Sequence, residues 1–168
     1  MLRAYGPQCD GGIVDPDHRT IPGTATWIDL EDPTREEERQ VEQSLGLNVP
    51  TREELVEIEP SSRLFERNGA LYMTLSVLYG VEEGTPASEP VGFVLSGNRL
   101  VTVRYVTPKP LRAFTAHVRG EPEIAANAMN VLYRLLDAII DRLADELEDL
   151  GTEIERVSKQ IFHRSQDA

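Results

Sequence analysis

Two groups of carboxylates in this chain are spaced so that they can act on a cation. Glu53 and Glu54 stand side by side in "TREELVEIE". Asp137, Asp141, Asp145 and Asp149 recur at every fourth position of "LLDAIIDRLADELEDLGTEIE". A helix stacks residues at that spacing on one face, where like charges repel by about 0.2–0.5 kcal/mol per pair. Such a column can face a cation. It can equally be a solvated face relieved by Arg134, Arg142 and water. The glutamate pair also has two readings. Carboxylates in a first helical turn complement the helix dipole. Glu54 lies three residues after Thr51, the spacing of a capping box. Residue types alone leave both readings open.

No other constellation carries chemistry. His18, His117 and His163 are scattered without ligand spacing and read as surface histidines. No Ser, His and Asp set is arranged for nucleophilic attack, and no glycine pattern matches a phosphate-binding loop. An enzyme therefore has no support in the sequence. Cys9 is the single cysteine, so no internal disulfide forms and a thiolate zinc site is not expected. It reads as an incidental thiol in a loop, in a reducing cytoplasm.

The 168 residues are enough for one domain with its own core. The chain is 40% hydrophobic and 27% charged, a globular composition. Its formal net charge of −12 argues against nucleic acid and anionic lipid as partners and is compatible with cations. The N-terminus has no apolar run of signal-peptide type. No stretch reaches the about 18 apolar residues that span a bilayer.

These residues must be positioned by the elements around them. The pattern predicts a short strand near Leu2–Tyr5, loops to residue 23, and a buried strand in "TATWIDL" with Trp27 and Leu30 in the core. A helix follows, capped by Thr34 with Glu37 and ended by Gly46. A short helix then starts at Thr51 and stops before Pro60. Two hairpins turn at Asn68-Gly69 and Gly97-Asn98. The run Leu100–Val106 reads as a central strand. A short helix covers "LRAFTAHVRG", and a long one runs from about Pro122. The fold class is α/β (α+β): a mixed sheet flanked by helices, ending in a long amphipathic helix. The division is a sheet and short helices over about 1–120, and the long helix over about 121–165.

On that helix, apolar residues from Leu132 to Ile161 step by threes and fours, so one face is buried. From Val131 to Leu143 the stripe is wide and should pack on the sheet. From Leu147 onward only a thin seam remains, which asks for a partner helix from another chain or from a further part of this one.

The ordered pieces "WIDLEDPTREEERQVEQSLGL", "REELVEIEPSSRLFERNGALYMTLSVLY", "GFVLSGNRLVTVRYV" and "LLDAIIDRLADELEDLGTEIE" together resemble the N-terminal cytoplasmic domain of the CorA family of divalent-cation channels, which carry Mg²⁺ and also Co²⁺ and Ni²⁺. The resemblance covers most of residues 24–162. The Gly-Met-Asn triplet that marks the family's pore is absent; "AMN" at 128–130 lacks the glycine and lies elsewhere in the order. By resemblance, this chain is a fragment of a longer inner-membrane protein, with this domain on the cytoplasmic side. A homopentameric funnel is implied, with Mg²⁺ between subunits holding it closed and its loss opening the gate.

The same resemblance places Glu53 and Glu54 at the acidic pair lining the intersubunit site, and Asp137 at a second acidic position nearby. The family often carries aspartate where this chain has Glu54. A further carboxylate of the family's site lies beyond this sequence, so weak Mg²⁺ binding is expected here, with Co²⁺ or Zn²⁺ as other candidate ions. Two rival readings are the soluble domain of a ZntB-like zinc transporter and a standalone interaction domain that pairs through its last helix.

Overall fold

The computed structural model describes residues 1–14, 20–59 and 62–164. The chain opens with β1 (Leu2–Gly6), β2 (Cys9–Ile13) and β3 (Trp27–Glu31). Helices α1 (Arg35–Leu45) and α2 (Arg52–Glu57) come next. Two hairpins follow: β4 (Leu64–Arg67) with β5 (Ala70–Tyr79), and β6 (Ala87–Ser96) with β7 (Arg99–Arg104). Then come α3 (Lys109–Gly120), a 3-10 turn (Pro122–Ala126) and α4 (Ala128–Arg164). One sheet holds all seven strands, in the order β2-β1-β3-β7-β6-β5-β4. β3 and β7 pair in parallel, with Trp27 opposite Leu100, and the other neighbours are antiparallel. The mixed sheet flanked by helices is as the sequence pattern predicts.

Alternation along the central strands builds two cores. Ile28, Leu30, Val101 and Val103 face Val41 of α1 and Leu55 of α2. Trp27 and Leu100 face Leu111 and Phe114 of α3, and Val131 and Leu135 of α4. Both faces of the sheet are covered, so β3 and β7 are buried in both phases, as parallel strands are, with apolar residues on the first face and Trp27, Leu100 and the polar Asp29, Thr102 and Arg104 on the second. Each fully buried large side chain contributes about 1.5–3 kcal/mol relative to exposure. One consequence governs the site described below: α2 and α4 lie on opposite faces of the sheet.

Inside the second core Trp27, Thr102, Asp29 and Arg104 satisfy one another, while the buried Tyr5 hydroxyl has no hydrogen-bond partner among the described residues. Trp27 Nε1 donates to Thr102 Oγ1 at 3.0 Å, and that hydroxyl donates to Asp29 Oδ1 at 2.7 Å. Arg104 closes the network onto Asp29, onto Glu31 Oε1 at 2.9 Å and onto the Val106 carbonyl at 2.9 Å.

The turns follow their chemistry. Asn68 and Gly69 both have positive φ, 52° and 75°, as a two-residue type I′ turn demands. Both helix starts are capping boxes, at Thr34 with Glu37 and at Thr51 with Glu54.

Four expectations are corrected. Residues 9–13 are a strand rather than a loop, because Gly11 lies flat against the Tyr5 ring. A Cβ at Gly11 would sit 2.1 Å from Tyr5 Cε1. Cys9 is accordingly buried in β2, with Sγ 3.6 Å from Thr24 Oγ1. The long helix starts at Ala128, not Pro122. The 3-10 turn ends first, and Asn127 Oδ1 then accepts from the Met129 N–H at 2.9 Å and the Asn130 N–H at 3.2 Å, a fresh cap. Finally, the part of α4 buried on the sheet side ends at Ile139. Ile140 is 63% exposed and Leu143 37%. Pro60 and His18 lie outside the described residues, as does the side chain of His163. Helix α2 ends at Glu57, with Ile58 as its C-cap. His117 is exposed, its Nε2 3.8 Å from Glu121 Oε1.

Candidate cation-facing surface

The site begins with the local chemistry of "PTREELVE". Thr51 Oγ1 accepts from the Glu54 N–H at 3.3 Å, and Glu54 Oε2 accepts from the Thr51 N–H at 2.9 Å. Leu55 then drops into the core over Gly92. A Cβ on Gly92 would lie 2.9 Å from Leu55 Cδ2, so the missing side chain gives α2 its seat on the sheet. With Leu55 inward, Glu53 and Glu54 are turned out to solvent. The capping reading of Glu54 is therefore realised, and it engages one carboxylate oxygen.

Glu53 belongs to a wider field of negative charge between α1 and α2. Burial raises the Glu38 carboxyl above its ordinary value, and the charges of Glu42 and Glu53 raise it further. Burial likewise pushes the Tyr105 hydroxyl up to about 12, reinforced by Glu38 and Glu53. Two cations border the field: Arg35, which lowers the Glu38 carboxyl, and Arg52 beside Tyr105. Arg52 pairs with Glu89 at 2.8 Å, and its guanidinium carbon lies 5.2 Å from the centre of the Tyr105 ring. Glu38 and Glu42 are members of this surface that sequence reasoning did not single out. Their signal was present in α1, where Glu38 and Glu42 are one turn apart, but only the fold brings Glu53 beside them.

Asp137 is exposed on α4, so it stands on the far side of the sheet from α2. The structure brings Glu53 toward Glu38 and does not bring Asp137 to either. Among the described residues no group of three or more His, Cys, Asp or Glu side chains could hold a metal ion. One chain thus offers a partial set of hard oxygen donors on each of two faces. Mg²⁺ tolerates such partial sets because it keeps much of its water shell.

Beside Glu54, a cavity of about 290 Å³ opens between α2 and the sheet, lined by Leu55, Ile58, Phe65, Tyr72 and Phe93. Glu54, Glu57 and Arg67 stand at its rim.

The family model described as "CorA-like Mg2+ transporter protein" matches residues 22–168. The chain belongs to the CorA family. The magnesium transport protein CorA of Escherichia coli strain K12 is 31% identical over 142 residues, covering 84% of this chain and 45% of that protein. The magnesium transport protein CorA of Salmonella typhimurium strain LT2 is 30% identical over 142 residues. This chain therefore spans about half the length, 45%, of the curated CorA relatives it matches. Among solved structures, the soluble domain of CorA from Methanocaldococcus jannaschii superposes with a TM-score of 0.70 at 18% identity. It covers 96% of this chain and 64% of that one. The complete CorA magnesium transporter from the same organism gives a TM-score of 0.65 at 18% identity and covers 95% of this chain. The fold is thus that of the CorA soluble domain. The curated relatives that it matches are described as magnesium transport proteins. Among the described residues no helix is long and apolar enough to cross a membrane.

Proposed function

We propose that this chain is the cytoplasmic regulatory domain of a CorA-type transporter of Mg²⁺, and of Co²⁺ as a second ion, in an inner membrane. In this reading the domain senses intracellular dication where copies meet in a homopentameric ring. Glu53 and Glu54 from one copy face the Asp137 side of its neighbour, and Mg²⁺ held between them through water keeps the ring closed. The observation that carries the reading is the placement of α2 and α4 on opposite faces of one sheet. That placement leaves each acidic set exposed and incomplete within a single chain. Family membership supplies the ion class.

The physics is a two-state contact biased by a ligand. Acidic faces repel when brought together, and a small dication between them reverses the sign. An ion at about ten times its dissociation constant stabilises the state that binds it by about 1.4 kcal/mol. For a chain of this size that is about 3–6 °C in melting temperature.

The test is thermal unfolding and sedimentation in millimolar MgCl₂ against NaCl of equal ionic strength. A rise of that size, or assembly, with MgCl₂ alone supports the reading. An equal response to the two salts overturns it. A response to ZnCl₂ but not to MgCl₂ or CoCl₂ would transfer the chain to the ZntB-like alternative.

A further inference from the structure

Edge strand β2 is held by two arginines that share one acceptor. Arg3 Nη1 donates to the Gly11 carbonyl at 3.1 Å, and Arg119 Nη2 donates to the same oxygen at 3.4 Å. Two positive charges therefore lie within two hydrogen-bond lengths of each other, where they repel. Neither has a carboxylate within ion-pair distance among the described residues. Acids outnumber bases 29 to 17 in this chain, so the two lack a counter-charge through placement and not through shortage. The acids of the adjoining strands are engaged elsewhere. Arg104 takes Asp29 and Glu31, and Asp10 Oδ1 accepts from the Gly12 N–H at 3.1 Å. Arg99, by contrast, meets the Gly23 carbonyl alone, at 3.0 Å.

A third donor stands beside the pair. Tyr5 is wholly buried and its ring lies against Gly11, yet its hydroxyl has no hydrogen-bond partner among the described residues. Burial, and then the charge of Asp29, raise that hydroxyl above its ordinary value, against smaller opposing pulls from Arg119, Arg3 and Arg104. It therefore keeps its proton and remains a donor. A buried donor left unmatched is costly. An ordered water would answer the hydroxyl but not the two charges. An anion answers both. A carboxylate offers two oxygens to these three donors, and a phosphate offers three or more. Guanidinium forks suit either oxyanion.

We propose that Arg3, Arg119 and Tyr5 form a binding site for a small phosphate, as the free ion or as the phosphoryl group of a small metabolite. Arg3 lies on β1 and Arg119 on α3, so the bound group ties strand to helix. The net charge of −12 disfavours any larger polyanion. The inference goes beyond the cation reading and does not rest on it.

The chain carries its own reporter. Trp27 is its single tryptophan, stacked on the Tyr5 ring at 4.4 Å between centroids. The test titrates the whole chain, stripped of divalent metal, with sodium phosphate and with glycerol phosphate. Sodium acetate and NaCl at matched ionic strength are the controls. Trp27 emission and the phosphorus NMR line width are followed. Phosphate should give a saturable response in the millimolar range, at least about tenfold tighter than acetate. Binding of glycerol phosphate as well assigns the phosphoryl group as the ligand, and its exclusion assigns the free ion. Arg119→Gln and Tyr5→Phe should each weaken phosphate binding by about tenfold or more, while Arg99→Gln should leave it unchanged. Without phosphate, Tyr5→Phe should melt no lower than the wild type, since it removes a donor that has no partner.

A phosphate response no larger than that to acetate and NaCl overturns the proposal. So does a response that survives Arg119→Gln, or one that Arg99→Gln reduces equally. A Tyr5→Phe variant that melts lower without phosphate, and binds phosphate as the wild type does, would show a hydroxyl already served by water and would equally overturn it.

Discussion

Arg104 holds Asp29 by two prongs across the parallel junction of β3 and β7: Nε lies 3.2 Å from Oδ1 and Nη2 lies 2.9 Å from Oδ2. Both side chains are almost wholly buried. Breaking such a pair from one side strands a charge in the core, which costs about 3–5 kcal/mol. Arg104→Ala is therefore expected to lower the unfolding free energy by about that amount in urea titration. Arg104→Ala/Asp29→Ala removes both charges and should recover part of the loss. A double variant no better than the single would show that the pair is not the source of the effect.

Glu37 supplies a pH dependence of known sign. Burial acts to raise its carboxyl, but hydrogen bonds from the Met1 amino group at 2.9 Å, from the Thr34 N–H at 2.9 Å and from the Leu2 N–H at 2.8 Å outweigh it. The carboxyl ends below its ordinary 4.5. A carboxylate whose folded value is depressed contributes stability that is complete above the unfolded value and is lost as pH falls through the folded one. The stability difference between the wild type and Glu37→Gln should thus be flat near neutrality and shrink below pH 4.5. A difference that stays constant into acid would refute the assignment.

Glu38 has the opposite sign. Its carboxyl is raised by burial and then by Glu42 and Glu53. Its penalty appears as pH rises through the folded value, so Glu38→Gln should stabilise the chain at neutral pH. Millimolar Mg²⁺ should reduce that gain if the ion settles in the same field. Urea titrations with and without MgCl₂ read both effects.

The two roles of the Glu53–Glu54 pair separate by mutation. Thr51→Ala removes the cap, and about 1 kcal/mol with it, while leaving the response of the melting temperature to MgCl₂ intact. Glu53→Gln/Glu54→Gln preserves the capping geometry, because glutamine serves at that position. It should leave stability without metal nearly unchanged and abolish the MgCl₂ response. An undiminished response in this variant removes these residues from the cation site.

The buried and the exposed apolar stripes of α4 predict unequal costs for one change of residue. Leu135 has no exposed surface and Leu150 is 57% exposed. Leu135→Ala should cost about 2–5 kcal/mol. Leu150→Ala should stay within about 0.5 kcal/mol in the isolated chain. Similar losses at both positions would mean that the seam is covered within the chain.

Much of this architecture was legible in the residues, wherever local chemistry decides. Thr34 with Glu37, Thr51 with Glu54 and the Asn68-Gly69 turn are short-range devices whose partners lie three residues apart or fewer, and each is realised. The alternation of Trp27 to Leu30 likewise declared a strand buried on both sides. The misses depended on distant partners. Gly11 of β2 read as loop because the Tyr5 ring that it accommodates lies in another strand. Asn127 looked unremarkable until the 3-10 turn before it placed its carbonyl over the start of α4. The apparent width of the α4 stripe merged two faces, one buried in the domain's own core and one exposed, since stepping by threes and fours alone does not divide them. At the candidate site the pair Glu53–Glu54 was visible in the sequence. The contribution of Glu38, and the separation of Asp137 by a whole sheet, were not, because both are facts of layer order.

Helix α4 has 37 residues, about 55 Å at 1.5 Å per residue. Its last buried apolar residue is Ile139, and Arg142 still lies against Tyr79 and Glu82, which leaves about 33 Å of rod beyond that fulcrum. Rocking of the sheet by only about 5° carries the far tip through about 3 Å, enough to shift one packed layer past another. The geometry is that of a lever: whatever loosens or tightens the wide end is magnified before it reaches the narrow one.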